Sequence, residues 1–161
     1  MATAPLVIQP VTTKAQRKTF VDVAFQLNQS DPNWVPPLKQ EALGLITPEK
    51  NGWFSHAKAQ LFLAMRGGKP VGRISAHIDT LALEMPADRG FGPGVGCWGL
   101  LDAPDEETAR ALIHAAEDWL RGQGMTRAMG PISMSIWEEP GLLVKGFDHP
   151  PTVIDRKSTR L

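Results

Sequence analysis

Apolar residues recur along this chain with two different periods, and the changes of period mark out its elements. Leu6-Val7-Ile8 with Val11 is an early apolar run that predicts a first strand over residues 5–11. Thr13 stands three residues before Gln16, the spacing of a capping box, and Phe20, Val23, Ala24 and Leu27 follow at helical intervals. They predict an amphipathic helix over 13–28. It is closed by Asp31-Pro32-Asn33-Trp34-Val35-Pro36-Pro37, where proline removes donors and restricts the residue before it. A short helix over 38–46 follows. Two apolar runs then flank Arg66-Gly67-Gly68-Lys69-Pro70 and predict a hairpin with strands at 58–66 and 70–79, Gly-Gly supplying the positive φ of the turn. Gly90-Phe91-Gly92-Pro93-Gly94-Val95-Gly96 leads into a fourth strand at 95–101. Pro104 opens a helix over 105–122 whose apolar face is Ala109, Leu112, Ile113, Ala116, Trp119 and Leu120. Leu112, Ile113, Ala116 and Trp119 are expected to be buried against the sheet. Gly122 and Gly124 end that helix, and a fifth strand is expected at 126–132.

Strand, helix, short helix, three strands, helix, strand is an α/β (α+β) order, with the unit at 97–132 expected to be parallel. From 133 to 154 glycine and proline interrupt the pattern every few residues. The 161 residues are one domain's worth of chain, and 42% hydrophobic content is enough for a core without metal or disulfide staples. Seventeen basic and seventeen acidic residues balance to a net charge of zero, which excludes the basic footprint of a nucleic-acid binder. Cys97 is the only cysteine, so no disulfide can form within the chain. No apolar run approaches the ~20 residues of a membrane span, and the start lacks the form of a secretory signal. These features lead us to expect a soluble, cytoplasmic protein without nucleic-acid or membrane partners. The final string, residues 155–161, resembles the translation of a sequencing-library adapter. We therefore expect a native segment over 1–154, a non-native tail over 155–161, and a natural protein that continues past Ile154.

The candidate chemistry is sparse. The glycine-rich loop at 90–96 leads into a strand rather than a helix and lacks a following Gly-Lys-Ser/Thr, so it reads as a connection and not as a phosphate loop. The helix after the fourth strand is the natural anion site, but it begins Pro104-Asp105-Glu106-Glu107, and three carboxylates there repel a pyrophosphate. His56, His77, His114 and His149 show no metal-ligand spacing. His77 alternates with apolar residues on a strand, as a core or rim residue or as a base. Glu138 and Glu139 follow the fifth strand, where α/β proteins place ligands, and read either as a general base or as a solvated turn. Trp34 and Trp53 are expected to pin the early loops to the sheet. No tyrosine occurs, so no phenolic acid is available from this chain.

Four strings carry a resemblance. They are Asp31-Pro32-Asn33-Trp34-Val35-Pro36-Pro37-Leu38, the run from His56 to Ala64, Pro70-Val71-Gly72-Arg73-Ile74, and Gly141-Leu142-Leu143-Val144-Lys145-Gly146-Phe147. On these the chain resembles the N-terminal part of a bacterial GNAT-like (N-acetyltransferase-fold) protein, over residues 1–154. The resemblance implies a mixed, mostly antiparallel sheet with flanking helices, broken off after strand five. It also implies acyl transfer from acetyl-CoA or another acyl-CoA to a small-molecule amine, without a covalent enzyme intermediate, in the complete protein. In that superfamily the donor lies where strands four and five splay. The implied cofactor-binding positions here are therefore Leu100, Leu101, Met129 and Gly130, with Glu138 as candidate base. The superfamily's pyrophosphate motif, Gln/Arg-x-x-Gly-x-Gly/Ala, falls on LDAPDEE at 101–107 and is absent. A GNAT-fold domain that binds a ligand or supports a second domain without catalysis is the alternative.

Overall fold

The computed structural model describes residues 4–135 together with Gly141, Lys145 and Asp148. Five strands form one sheet in the order β1-β2-β3-β4-β5: Leu6–Pro10, Ala57–Arg66, Lys69–Asp79, Val95–Asp102 and Arg127–Met129. The first four pair antiparallel, and β5 joins β4 in parallel. The helices are α1 (Lys14–Asn28), α2 (Lys39–Leu45), the single turn α3 (Thr80–Leu83) and α4 (Glu106–Gly122). The mixed, mostly antiparallel arrangement agrees with the expectation.

Local chemistry accounts for the boundaries. The capping box at α1 forms: the Gln16 N–H donates to Thr13 Oγ1 at 3.2 Å, and the Thr13 N–H donates to Gln16 Oε1 at 3.0 Å. Gly67 and Gly68 take φ of +58° and +77°, which closes the β2–β3 turn on two residues. Asp105 caps α4 by accepting from the Thr108 N–H at 2.7 Å.

Alternation along the strands gives the sheet two faces. On one, Phe62, Ala64, Ile74, Ala76 and Ile78 pack against Leu112, Ala116 and Leu120 of α4. On the other, Leu61 and Leu63 pack against Phe20, Val21 and Val23 of α1, with Ile46 and Met134. Two expectations are corrected here. Leu112, Ala116 and Leu120 are enclosed, but Ile113 and Trp119 are only half-buried. An i, i+4 seam faces the sheet, and its neighbours lie on the flanks. The fifth strand ends at Met129 rather than 132. Pro131 has no N–H to continue the ladder, and the next donor, the Ile132 N–H, reaches Trp98 O at 2.8 Å. Among the described residues no helix is long and apolar enough to cross a membrane.

Candidate functional site

β3 carries polar side chains on the α1 face at every second position: Arg73, Ser75, His77 and Asp79. Opposite them β4 is irregular. Ser75 pairs with Gly99 and Arg73 with Asp102, so two steps on β3 match three on β4 and one residue bulges. Leu100 sits in the bulge with φ of +49°, a conformation that L side chains rarely adopt. Gly99 is required at that place, since a Cβ would fall 2.1 Å from Ile132 O. The chain leaving β5 is thus laid directly across β4.

This crossing segment separates two recesses on the α1 face. The first, about 590 Å³, lies between α1 and α2 and is walled by Val21, Phe25, Ala42, Leu45, Ile46 and Leu100. A smaller cavity of about 220 Å³ includes Leu100, Leu101, Arg73, Asp102 and Ser133. Here Arg73 Nε donates to Asp102 Oδ2 at 2.7 Å, and Asn28 Nδ2 donates to Asp102 Oδ1 at 2.9 Å. These bonds leave that carboxylate well satisfied. Of the implied cofactor positions, Leu100 and Leu101 line this cavity and Met129 and Gly130 do not. Met129 pairs with Cys97, and Gly130 packs so closely on the Trp98 indole that a Cβ would clash. Glu138 lies outside the described residues.

The second recess, about 420 Å³, holds the chemistry that sequence reasoning did not assemble. His77 is 1% exposed, and neither ring nitrogen has a hydrogen-bond partner among the described residues. Burial lowers its pKa from 6.5 to about 4, the Asp79 charge only partly opposing, so the ring is neutral at pH 7. Cys97 is its cross-strand partner, and burial, helped by Asp79, pushes the thiol up to about 11. Trp53 stands edge-on to the His77 ring with centroids 5.5 Å apart. Asp79 anchors the rim. It accepts from Trp53 Nε1 at 3.2 Å, from the Leu81 N–H at 2.9 Å and from His56 Nδ1 at 2.9 Å. Leu81, Met85, Phe91, Val95, Ile132 and Met134 complete an apolar wall. Trp53 pins its loop to the sheet through Asp79 of β3, as expected, whereas the ring contact of Trp34 is with Phe25 of helix α1, at 5.2 Å between centroids. The readable signal for this recess was the polar stripe on β3. Its partners come from loops far away in sequence. Among the described residues no group of His, Cys, Asp or Glu could hold a metal ion.

A strand-helix-helix-strand order running into a bulged β4 and a parallel β5 behind α4 defines the class: the fold is that of the GNAT N-acetyltransferases. Solved structures agree. A predicted acetyltransferase from Clostridium acetobutylicum with acetyl-CoA matches at a TM-score of 0.56 and 9% identity, over 80% of this chain and 82% of that one. An aminoglycoside N-acetyltransferase in complex with CoA matches at 0.54 and 14% identity, over 91% and 95%. By sequence, the chain is 48% identical over 152 residues to a bacterial ceramide synthase of Caulobacter vibrioides, covering 94% of this chain and 38% of the relative. It is 39% identical over 145 residues to protein YghO of Escherichia coli, covering 89% and 36%. The chain thus spans little more than a third of the length of these curated relatives. No protein-family model matches it.

The fold implies an acyl-CoA donor, whose pyrophosphate would meet the N-terminus of α4. The residues there do not fit it. Hydrogen bonds from Thr108, then the Arg66 guanidinium, hold the Asp105 carboxyl below the usual carboxylate range. Arg66 is itself committed, to Asp105 at 3.1 Å and to Glu107 at 2.6 Å. The helix end is capped and negatively charged from within.

Proposed function

We propose that this chain is part of an N-acyltransferase that joins an acyl group to the amine of a long-chain amino alcohol, and that it supplies the acceptor side of the site. The observation that carries the reading is the 48% identity to a bacterial ceramide synthase across 94% of the chain. A ceramide is an amide between a fatty acid and a long-chain amino alcohol, which is the product class of an N-acyltransferase. The GNAT fold supports the same chemistry, and apolar recesses on the α1 face suit alkyl substrates. The α4 N-terminus takes no part in holding the donor's phosphates, and the reaction is taken to be cytoplasmic. Burial that lowers the His77 pKa to about 4 leaves that ring a weak base, and the enclosed thiol of Cys97 is no nucleophile.

The test is a chimera in which this chain replaces the matching 152-residue segment of the Caulobacter relative. Given palmitoyl-CoA and sphinganine, it should form N-acyl sphinganine, detected by mass spectrometry. A folded chimera that forms none overturns the reading. The carboxylates at α4 favour a second reading, a GNAT-fold domain without catalysis. Under that reading the chimera is inactive, and acyl-CoA leaves the chain's melting temperature unchanged.

A further inference from the structure

We propose that the larger recess, between α1 and α2, binds a long-chain carboxylate, its head on the Arg73 guanidinium and its alkyl chain along the apolar wall. The site is read from this chain alone and does not need the acyltransferase reading. An arginine side chain donates from Nε and from both hydrogens on each of Nη1 and Nη2. In Arg73, Nε donates to Asp102 Oδ2 at 2.7 Å and Nη1 donates to the Phe20 carbonyl at 3.3 Å. Nη2 and the second hydrogen of Nη1 are left without a partner among the described residues. The group is also held in place: its Cζ lies 5.0 Å from the centroid of the Phe20 ring, and the side chain is only 13% exposed. A guanidinium fixed in this way offers charge-assisted bonds to a carboxylate at little cost in ordering.

Charge and shape narrow the ligand to a single-headed anion. Among the described lining residues Arg73 and Lys50 are the cations and Glu41 is the acid. Lys50 and Glu41 are both exposed and offset each other, so the enclosed Arg73 sets the sign of the recess. Asp102 borders the smaller cavity rather than this one, and it already accepts from Arg73 and Asn28. One guanidinium balances one carboxylate, whereas a phosphate dianion leaves excess charge against an apolar wall. An ammonium meets Arg73 and is repelled. The wall of Val21, Phe25, Ala42, Leu45 and Ile46 suits an alkyl chain, and about 590 Å³ falls within the ~300–1,000 Å³ of small-molecule sites. Pro37, an exposed residue of the lining, is flanked in the sequence by Val35 and Leu38, which stand 64% and 66% exposed. A chain longer than the recess therefore continues over apolar surface.

The experiment titrates the chain with decanoate, decan-1-ol and decylammonium by calorimetry at pH 7. Decanoate should bind at least tenfold more tightly than the alcohol or the ammonium. Gly44→Trp places a ring at a lining position of α2 where a Cβ meets no atom within 4 Å, so it should raise the Kd of decanoate at least tenfold without unfolding the chain. Arg73→Lys keeps a cation for Asp102 but loses the planar fork, and the preference for decanoate over decan-1-ol should fall at least fivefold. With ¹⁵N-arginine in the natural chain, the Arg73 Nε resonance, assigned by its loss in Arg73→Lys, should move with decanoate and stay in place with decan-1-ol. Decanoate that fails to bind, binds no more tightly than decan-1-ol, or binds Gly44→Trp equally well overturns the proposal. So does an Arg73 resonance unmoved at saturating decanoate. None of these outcomes bears on amide formation by the chimera.

Discussion

The imidazole of His77 titrates near pH 4 in the folded chain against an ordinary 6.5, because burial disfavours its charged form more than Asp79 favours it. In the window between those values the unfolded chain binds a proton that the folded chain does not. Stability therefore rises with pH across it, is complete above about 6.5, and is lost as the pH falls towards 4. The loss should reach on the order of 3 kcal/mol. Urea midpoints at pH 7 and pH 4.5 should differ more for the natural chain than for His77→Gln, since only the former carries this titration. Equal differences would mean that carboxylates alone govern the acid response. Cys97, on the adjacent strand, gives a second check. With its thiol held at about 11 rather than 9.0, the thiolate fraction at pH 8 drops about a hundredfold. Alkylation of the folded chain by iodoacetamide should slow by at least that factor relative to the chain in denaturant.

Among the elements, α4 offers the clearest energetic contrast. Leu112 is fully enclosed between α4 and the sheet, so Leu112→Ala should cost roughly 3–5 kcal/mol in chemical denaturation. Trp119, half-buried on the flank, should cost less when cut to alanine despite its greater size. The start of α4 supports a different measurement. Replacing Asp105 by Asn keeps the cap, and replacing Glu106 and Glu107 by Gln removes the remaining carboxylates and releases Arg66. The triple variant should bind CoA more tightly than the natural chain, most clearly at low salt, in titration calorimetry. No gain would show that the acids are not the obstacle. Elements whose signals are local were legible in the sequence: the Gly67-Gly68 turn, the Thr13–Gln16 box and the apolar seam of α4. The turn at Thr80–Leu83 was not, since four residues carry no periodicity. The end of β5 was overextended because Pro131 weighed less in the pattern than the apolar residues around it. The His77 recess was legible only as alternating polar positions on β3. Trp53, Phe91 and Met134 reach it through packing that no local pattern encodes.

At the scale of the whole molecule, protection should follow the layers. The β2–β3 hairpin lies inside the sheet and is covered on both faces, whereas α2 has no buried residue. In hydrogen-exchange mass spectrometry α2 should exchange first and the centre of β3 last. Exchange of both in a single step would mean that α2 is bound more firmly than its exposure implies. The unequal faces of the sheet carry a consequence for how such a protein diversifies. The α4 side is filled with close-packed aliphatic side chains, while the two recesses and the smaller cavity open on the α1 side. Substitutions that reshape a recess on the α1 side leave the α4 packing untouched. A lineage built on this plan can therefore change which molecule it accepts in many small steps, each tolerated on its own, while the opposite side keeps the chain folded throughout.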